Sequence, residues 1–219
     1  FDIYENLFQK FLKKNIKIVE VGIGDGGSLF MWKNFFGKKA KVIGIELNPD
    51  AKKLEKKGFK IFVGDQSSPT FWKNFYKKVG NIDILIDDGG HTNLQQVTTL
   101  MESINHIKPG GMILVEDTHT SFMKNKGFKN PSKYSFINFT SSLIEIIHRR
   151  NPSLNKNLNF IAKKINSIEY YDSITVINIA NKNLKKSKNL ENNKRLRSYF
   201  DDYRYKTVNI PKKNKNKIS

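Results

Sequence analysis

Along residues 1–115, short apolar runs alternate with segments whose apolar residues recur at helical spacing. The runs predict strands at 17–21, 41–46, 60–63, 82–86 and 112–115. The helical spacing predicts helices at 2–14, 28–36, 49–57, 69–79 and 93–107. Strands that alternate with helices in this way favour a doubly wound parallel sheet with helices on both faces.

After residue 115 this alternation stops. Residues 118–133 are predicted to form a loop, and 136–149 again have helical spacing. Two β-rich runs follow, 167–171 and 174–179, and the Asp-Ser pair between them is typical of a hairpin. We therefore expect an α/β fold with a mostly parallel, seven-stranded sheet that ends in an antiparallel hairpin.

Charge is unevenly distributed along the chain. The formal net charge is +19, from 39 Lys and Arg against 20 Asp and Glu, and residues 181–219 hold 13 of the basic residues and 3 of the acidic ones. We expect a folded domain at 1–180 and a basic C-terminal extension at 181–219. The excess of Lys indicates an anionic partner, or only the codon usage of an AT-rich genome, and both readings stay open.

Other features of composition exclude several classes of protein. The absence of Cys excludes disulfides, thiolate catalysis and Cys-based zinc sites. No apolar run approaches the ~20 residues that cross a bilayer, so no membrane span is expected and a cytoplasmic location fits. The chain begins at Phe1 rather than Met, which is typical of a fragment.

A glycine-rich segment follows the first predicted strand. Residues 20–28 read EVGIGDGGS and place a G-x-G-x-x-G pattern between a strand and a helix. Glycines allow a ligand to approach the backbone closely, and the next helix offers free N–H groups. Glu46 ends the second strand, where an acid can accept hydrogen bonds from ribose hydroxyls. These features indicate a nucleotide-like cofactor and fit an NAD enzyme as well as an S-adenosylmethionine enzyme.

Carboxylates gather after the fourth and fifth strands, at Asp87, Asp88, Glu116 and Asp117. Close carboxylates repel one another unless they share a cation, so a hard divalent ion is favoured, although one or two of them could instead cap a helix. His91 comes three residues after Asp88 and precedes a helix, where it is either a general base or a helix-start hydrogen-bonding group. An NAD site would not need this density of acids.

Jointly, the motifs resemble those of the class I S-adenosylmethionine-dependent methyltransferases. Within that class they are similar to the metal-dependent sugar O-methyltransferases of the mycinamicin and macrocin type. The resemblance covers roughly residues 1–180 and rests on 20–28 (EVGIGDGGS), 63–67 (VGDQS), 86–91 (IDDGGH), 109–111 (PGG) and 115–121 (VEDTHTS).

The resemblance implies a Rossmann-like methyltransferase fold, S-adenosylmethionine as cofactor and Mg²⁺ or Mn²⁺ as metal. It places the metal on Asp88, Glu116 and Asp117, and makes His91 the base, with Asp88 as the second catalytic residue. The N-terminal helix would close over the cofactor. The residues expected to bind the cofactor are Glu20, Gly22, Gly24, Asp25, Gly26, Gly27, Ser28, Glu46, Asp65, Gln66 and Asp87.

The resemblance also implies a small-molecule acceptor that contains a sugar or is anionic. Some members of the family act in capsule biosynthesis, including on phosphoramidate groups, and a basic enzyme would suit such acceptors. Two alternatives remain: an NAD-dependent oxidoreductase on the same type of fold, and a protein that binds nucleic acid through its basic tail, which we do not expect. A homo-oligomer is possible, and its subunit number does not follow from the sequence.

Overall fold

Seven strands form a single sheet with the order β3-β2-β1-β4-β5-β7-β6. The structure is a computed structural model that describes residues 2–124, 133–148, 161 and 163–182. The strands are β1 (Lys17–Val21), β2 (Lys41–Glu46), β3 (Lys60–Val63), β4 (Ile82–Asp87), β5 (Ile107–Val115), β6 (Ile165–Tyr171) and β7 (Ile174–Ile179). The α-helices are α1 (Asp2–Phe8), α2 (Gly27–Phe36), α3 (Pro69–Val79), α4 (Asn93–Ser103) and α5 (Phe136–His148), and 3₁₀ helices cover Gln9–Phe11, Pro49–Lys57 and Thr118–Phe122.

Strands β1 to β5 pair in parallel, whereas β7 runs antiparallel to both β5 and β6. The predicted α/β fold with its terminal hairpin is therefore confirmed. The chain leaves β1 toward β2 on one side and returns to β4 on the other, so the strand order reverses between β1 and β4. In open α/β sheets, ligands bind at the carboxyl ends of the strands beside such a reversal.

Several predicted elements have different limits in the structure. Helix α4 stops at Ser103 rather than at residue 107, and β5 already begins at Ile107 instead of 112. The sequence 109–111, PGG, lies inside this strand, although Pro and Gly are disfavoured within strands. It can lie in a strand because β7 pairs with β5 only from Met112 onward, so that one side of residues 107–111 is free of sheet hydrogen bonds. The predicted helix 2–14 is likewise shorter, with α1 followed by a 3₁₀ turn to Phe11.

Apolar side chains cover both faces of the sheet. One layer joins the sheet to α3, α4 and α5, and the other joins it to α1 and α2. The aromatic side chains of α3 belong to the first layer, where Trp72, Phe75 and Tyr76 are 0 %, 1 % and 5 % exposed. Helix α3 therefore packs on the sheet, and these aromatic side chains are not available as a base-stacking surface. Full burial of a large apolar side chain contributes about 1.5–3 kcal/mol.

The last described strand, β7, ends at Ile179. Apart from Asn181 and Lys182, the proposed basic extension 181–219 lies outside the described residues, and the boundary at residue 180 stays a prediction. Within the described ranges, no helix combines the length and the apolar character that a membrane span requires.

Candidate active site

A cavity of about 330 Å³ opens at the carboxyl ends of the parallel strands. Its walls are the loops that follow β1, β2, β3 and β4, as expected for the reversal point of the sheet. Several residues predicted to bind the cofactor line it: Gly22, Gly24, Glu46, Asp65 and Gln66. Asp88 lines it as well, together with Gly89, Gly90 and Gln95, which were not predicted to bind the cofactor.

Gly22 brings the loop after β1 against the loop after β4. Its φ is +82°, and a Cβ at this position would lie 2.2 Å from the carbonyl oxygen of Asp88 and 2.6 Å from Cα of Gly89. Only glycine fits such a left-handed backbone at this separation. The two loops that border the cavity can therefore approach each other this closely only because residue 22 has no side chain.

Glu46 fixes the glycine turn to the end of β2. Its Oε2 accepts a hydrogen bond from the N–H of Gly24 at 3.0 Å, and its Oε1 accepts from the N–H groups of Leu47 at 2.8 Å and Asn48 at 3.1 Å. A carboxylate has about four acceptor positions, and three are in use. Glu46 can thus accept one hydrogen bond from a ligand hydroxyl without moving. It can accept a second if it gives up one of its hydrogen bonds from a backbone N–H.

Glu20 lies outside the cavity lining, although it was predicted to bind the cofactor. It is 2 % exposed, and its two oxygens accept from Ser28 Oγ at 2.7 Å and Trp32 Nε1 at 2.9 Å. These bonds anchor α2 to β1. The other predicted cofactor residues outside the lining are Asp25, Gly26, Gly27, Ser28 and Asp87, and the cofactor role of all six stays a prediction.

Asp87 and Gln66 form a buried network beside the cavity. Asp87 Oδ1 accepts from Gln66 Nε2 at 2.8 Å and from the N–H of Gly89 at 3.2 Å, while Gln66 Oε1 accepts from the N–H of Gly90 at 2.9 Å. Burial raises the pKa of Asp87, and the bond from Gln66 opposes that rise. The network holds the segment that carries Asp88 and His91.

The structure brings together three residues that were predicted to be catalytic or to bind a metal. Asp88, His91 and Asp117 each offer one potential metal-ligand atom, and these three atoms lie within 4.8 Å of one another. Nε2 of His91 is 3.4 Å from Asp117 Oδ2 and 4.0 Å from Asp88 Oδ1. His91 and Asp117 both have left-handed backbones, with φ of +56° and +51°. Non-glycine residues held in this region concentrate at functional sites.

Glu116 stands slightly apart from that group and contacts the N-terminal helix. The pKa of Glu116 is raised to about 7, first by burial and then by the charge of Asp88, with smaller effects from Glu20 and Asp117. The hydroxyl of Tyr4 donates a hydrogen bond to Glu116 and opposes this rise. Tyr4 is thus a site residue that sequence reasoning missed, because nothing local to residue 4 indicates a partner at residue 116.

The donor set suits a divalent cation. Asp88, Glu116 and Asp117 supply the carboxylate oxygens that Mg²⁺ and Mn²⁺ prefer. The pKa values of Asp88 and Glu116 are raised by burial and by neighbouring carboxylates, and a cation would relieve this repulsion. Nδ1 of His91 is buried, and none of the described residues supplies a hydrogen-bond partner for it. Of the predicted metal residues, Asp88 and Asp117 belong to the group with His91, Glu116 lies outside it, and the metal role of all three stays a prediction.

Replacing Glu116 with Gln should make metal-free protein more stable at high pH. The raised pKa means that between about 4.5 and about 7 the folded state keeps a proton that the unfolded chain loses. The resulting loss of stability is absent at low pH, grows as the pH rises, and is complete above about 7. In thermal melts in chelator, the melting temperature of Glu116→Gln should rise relative to that of the parental chain between about pH 5 and about pH 8. A difference that is constant with pH would contradict this assignment.

The hairpin between β6 and β7 reaches the segment beside the acids. The carbonyl of Ser173 accepts from the N–H of Thr118 at 2.9 Å, and Ser173 Oγ lies 2.7 Å from His119 Nδ1. Thr120 Oγ1 donates to the carbonyl of His91 at 2.9 Å. The 3₁₀ helix Thr118–Phe122 is thereby fixed between the hairpin and the His91 segment, which holds Asp117 in place.

No protein-family model matches this chain. It is 27% identical over 186 residues to mycinamicin VI 2''-O-methyltransferase of Micromonospora griseorubida, covering 80% of this chain and 46% of that protein. It is 29% identical over 153 residues to 8-demethyl-8-alpha-L-rhamnosyl tetracenomycin-C 2'-O-methyltransferase of Streptomyces olivaceus, covering 66% and 40%. The chain spans about half the length of the curated relatives it matches, or less.

Among solved structures, the chain resembles the MycE methyltransferase of the mycinamycin biosynthetic pathway, in a complex with Mg, SAH and mycinamycin VI. The TM-score is 0.75 with 24% sequence identity, over 83% of this chain and 48% of that chain. The sequence relatives confirm the resemblance to O-methyltransferases of the mycinamicin type. The chain has the Rossmann-like fold of the class I methyltransferases.

Proposed function

We propose that this chain is an S-adenosylmethionine-dependent, divalent-metal-assisted O-methyltransferase that acts on a sugar-containing small molecule. The observation that carries the proposal is the position of Asp88. This residue lines the cavity beside the glycine turn and also belongs to the group with His91 and Asp117. A cofactor in the cavity and a metal at the acids would therefore be neighbours. The names of the sequence relatives support the same reaction.

The cavity residues would hold and orient the cofactor. Glu46 presents an acceptor to a ribose hydroxyl, Asp65 lies exposed at the cavity wall, and Gly22 leaves the backbone open to close approach. S-adenosylmethionine, when bound, supplies an electrophilic methyl group on a sulfonium. Because that group is reactive by itself, the protein contributes mainly by alignment, and orientation can be worth about 7–11 kcal/mol.

The acids and His91 would prepare the acceptor. Asp88, Glu116 and Asp117 would hold Mg²⁺ or Mn²⁺, which when bound supplies Lewis acidity that lowers the pKa of an acceptor hydroxyl. His91 would take the proton of that hydroxyl at Nε2, the ring atom that faces the acids. The carboxylates of Asp88 and Asp117 then stabilise the imidazolium that forms.

The cofactor is tested by calorimetry with S-adenosylmethionine and NADH on the 219-residue chain. We expect saturable binding of S-adenosylmethionine and none of NADH, since the cavity is bordered by carboxylates rather than by the apolar wall that a nicotinamide needs. Binding of NADH without S-adenosylmethionine would refute the proposal in favour of the oxidoreductase alternative.

Replacing His91 with Asn should lower methyl transfer by about 10²–10⁴-fold, the usual contribution of a general base. Asn is chosen because it tolerates the left-handed backbone that His91 adopts. Turnover is measured as release of S-adenosylhomocysteine, with thermal melting as the check on folding. A parental rate in a folded His91→Asn protein would leave His91 a structural residue.

The acceptor that we propose is a hydroxyl of a sugar-bearing natural-product or capsule precursor. Leu94 and Phe122 are 67 % and 63 % exposed on the segments that carry His91 and Asp117, and they offer apolar contacts to the body of an acceptor. The net charge of +19 favours acceptors with phosphate or phosphoramidate groups. A panel of neutral and phosphorylated glycosides, assayed for S-adenosylhomocysteine release, separates these classes.

A further inference from the structure

A second cavity, of about 460 Å³, lies at the amino ends of strands β1, β2 and β3, at the opposite end of these strands from the candidate active site. Half of its twelve lining residues are lysines, and none is acidic: Lys17, Lys33, Lys38, Lys41, Lys60 and Lys78. We call it the lysine cavity. It is built by the first residues of β1, β2 and β3, by α2 and the loop that follows it, by the end of α3, and by residues 58–59 before β3.

The sheet itself forces two of these lysines together. Lys17 and Lys41 are direct partners in the parallel pairing of β1 with β2, and neighbouring strands lie about 4.7–4.9 Å apart. Like charges placed opposite each other destabilise a sheet. Lys60 begins β3, the next strand along, so each of these three neighbouring strands begins with a lysine.

Local acids do not balance this charge. In the part of the chain that the structure describes, the Lys–acid ion pairs join Lys52 to Glu55, Lys53 to Asp25 and Lys108 to Asp83, and none involves a lysine of the cavity. Asp83 accepts from the backbone N–H of Lys17, but its carboxylate is already paired with Lys108 at 2.8 Å.

Three of the lysines are partly fixed by contacts of their own. Lys60 Nζ lies 5.2 Å from the ring centroid of Phe62. Lys17 Nζ donates to the carbonyl of Val79, and Lys33 Nζ lies 5.2 Å from the ring centroid of Phe59. Lys33, Lys38, Lys41, Lys60 and Lys78 are exposed and can turn their ammonium groups to a ligand. Each Nζ has three donors, which suits the oxygens of phosphate groups.

We propose that the lysine cavity binds a small molecule that carries two or more phosphate groups. One phosphate would neutralise about two of the six lysines, and the cavity has the volume of a small-ligand pocket rather than of a single-ion site. Its compact lining of twelve residues distinguishes it from the extended basic surface that nucleic acid uses. Because Lys17 and Val21 are the first and last residues of β1, the lysine cavity and the candidate active site are separated by roughly 13 Å of strand, so occupancy of one need not exclude the other.

The test is a calorimetric titration of the 219-residue chain with tripolyphosphate at low salt. The triple variant Lys38→Gln, Lys41→Gln, Lys78→Gln is compared with a matched variant that loses the same charge outside the cavity, Lys53→Gln, Lys133→Gln, Lys163→Gln. Loss of charge-assisted bonds should weaken binding at least about tenfold in the first variant and less than about twofold in the second. S-adenosylmethionine binding should be unchanged in both.

A footprint on the parental chain adds a test that needs no variant. Limited acetylation followed by peptide mapping should show Lys33 and Lys60 protected by tripolyphosphate, with Lys53 unprotected. Equal weakening in the two triple variants, absence of saturable binding, or absence of this protection would overturn the proposal. A single-stranded oligonucleotide that binds more tightly than tripolyphosphate and loses binding in the cavity variant would overturn it in favour of nucleic acid.

Discussion

Replacing Asp88 with Asn is expected to abolish binding of a divalent cation and, with it, metal-dependent methyl transfer. Asp88 belongs both to the group with His91 and Asp117 and to the cavity lining, and Asn keeps its size while removing the charge. Loss of a group that only supports a ligand weakens metal binding by about 10- to 100-fold, and loss of a ligand itself should exceed this. Mn²⁺ binding, followed by paramagnetic resonance, is the measurement, and it does not require a known acceptor.

Asp50→Asn is the matched control, because Asp50 is exposed at the start of the 3₁₀ helix Pro49–Lys57. It should bind Mn²⁺ like the parental chain. Calorimetry should show that Asp88→Asn still binds S-adenosylmethionine, since the glycine turn and Glu46 are intact. Undiminished Mn²⁺ binding by Asp88→Asn, or methyl transfer that continues in excess chelator, would remove the metal from the mechanism.

Replacing Gly22 with Ala should produce the largest loss of stability among the glycine turn positions. The new Cβ would meet backbone atoms of Asp88 and Gly89, which cannot move aside as a flexible side chain can, and the φ of +82° adds strain of its own. We expect a loss of roughly 3–5 kcal/mol in the free energy of unfolding, together with loss of S-adenosylmethionine binding. Chemical denaturation and calorimetry measure the two effects.

The same turn provides two controls. Gly24 also has a positive φ, +49°, but an added Cβ meets nothing within 4 Å, so Gly24→Ala should lose only about 1 kcal/mol. Gly27, the first residue of α2, has neither strain nor a neighbour, and Gly27→Ala should be neutral or slightly stabilising. If Gly22→Ala proves as stable as Gly24→Ala, the close approach of the two loops is not what requires glycine.

Most of the fold could be predicted because parallel strands are buried on both faces and read as short apolar runs. Strands β1, β2 and β3 were predicted with their observed limits for this reason. The start of β5 could not be, because among its first five residues only Ile107 pairs with β4 and none pairs with β7, so the segment admits Pro and Gly. This pairing depends on how the neighbouring strands are arranged, so the local sequence gives no indication of it.

In the candidate site, too, some contacts could be predicted from the sequence and others could not. Asp88, His91 and Asp117 were expected to meet because the ends of neighbouring parallel strands share one edge, and the structure brings them together. Glu20 was assigned to the cofactor through the family resemblance, as the first residue of the 20–28 motif. Its actual contacts, Ser28 and Trp32, come from a helix whose orientation on the sheet depends on packing. The bond between Tyr4 and Glu116 depends likewise on where α1 docks.

The docking of α1 has a practical consequence for work with this protein. Tyr4 packs edge-on against Trp32, which bonds to Glu20, and the hydroxyl of Tyr4 reaches Glu116. Helix α1 thus contacts one buried acid through Trp32 and one partly buried acid directly. Removal of residues 2–8 would leave Glu116 without its phenolic donor. Variants of residues 2–8 therefore belong in any engineering study of catalysis, and not only in studies of expression or solubility.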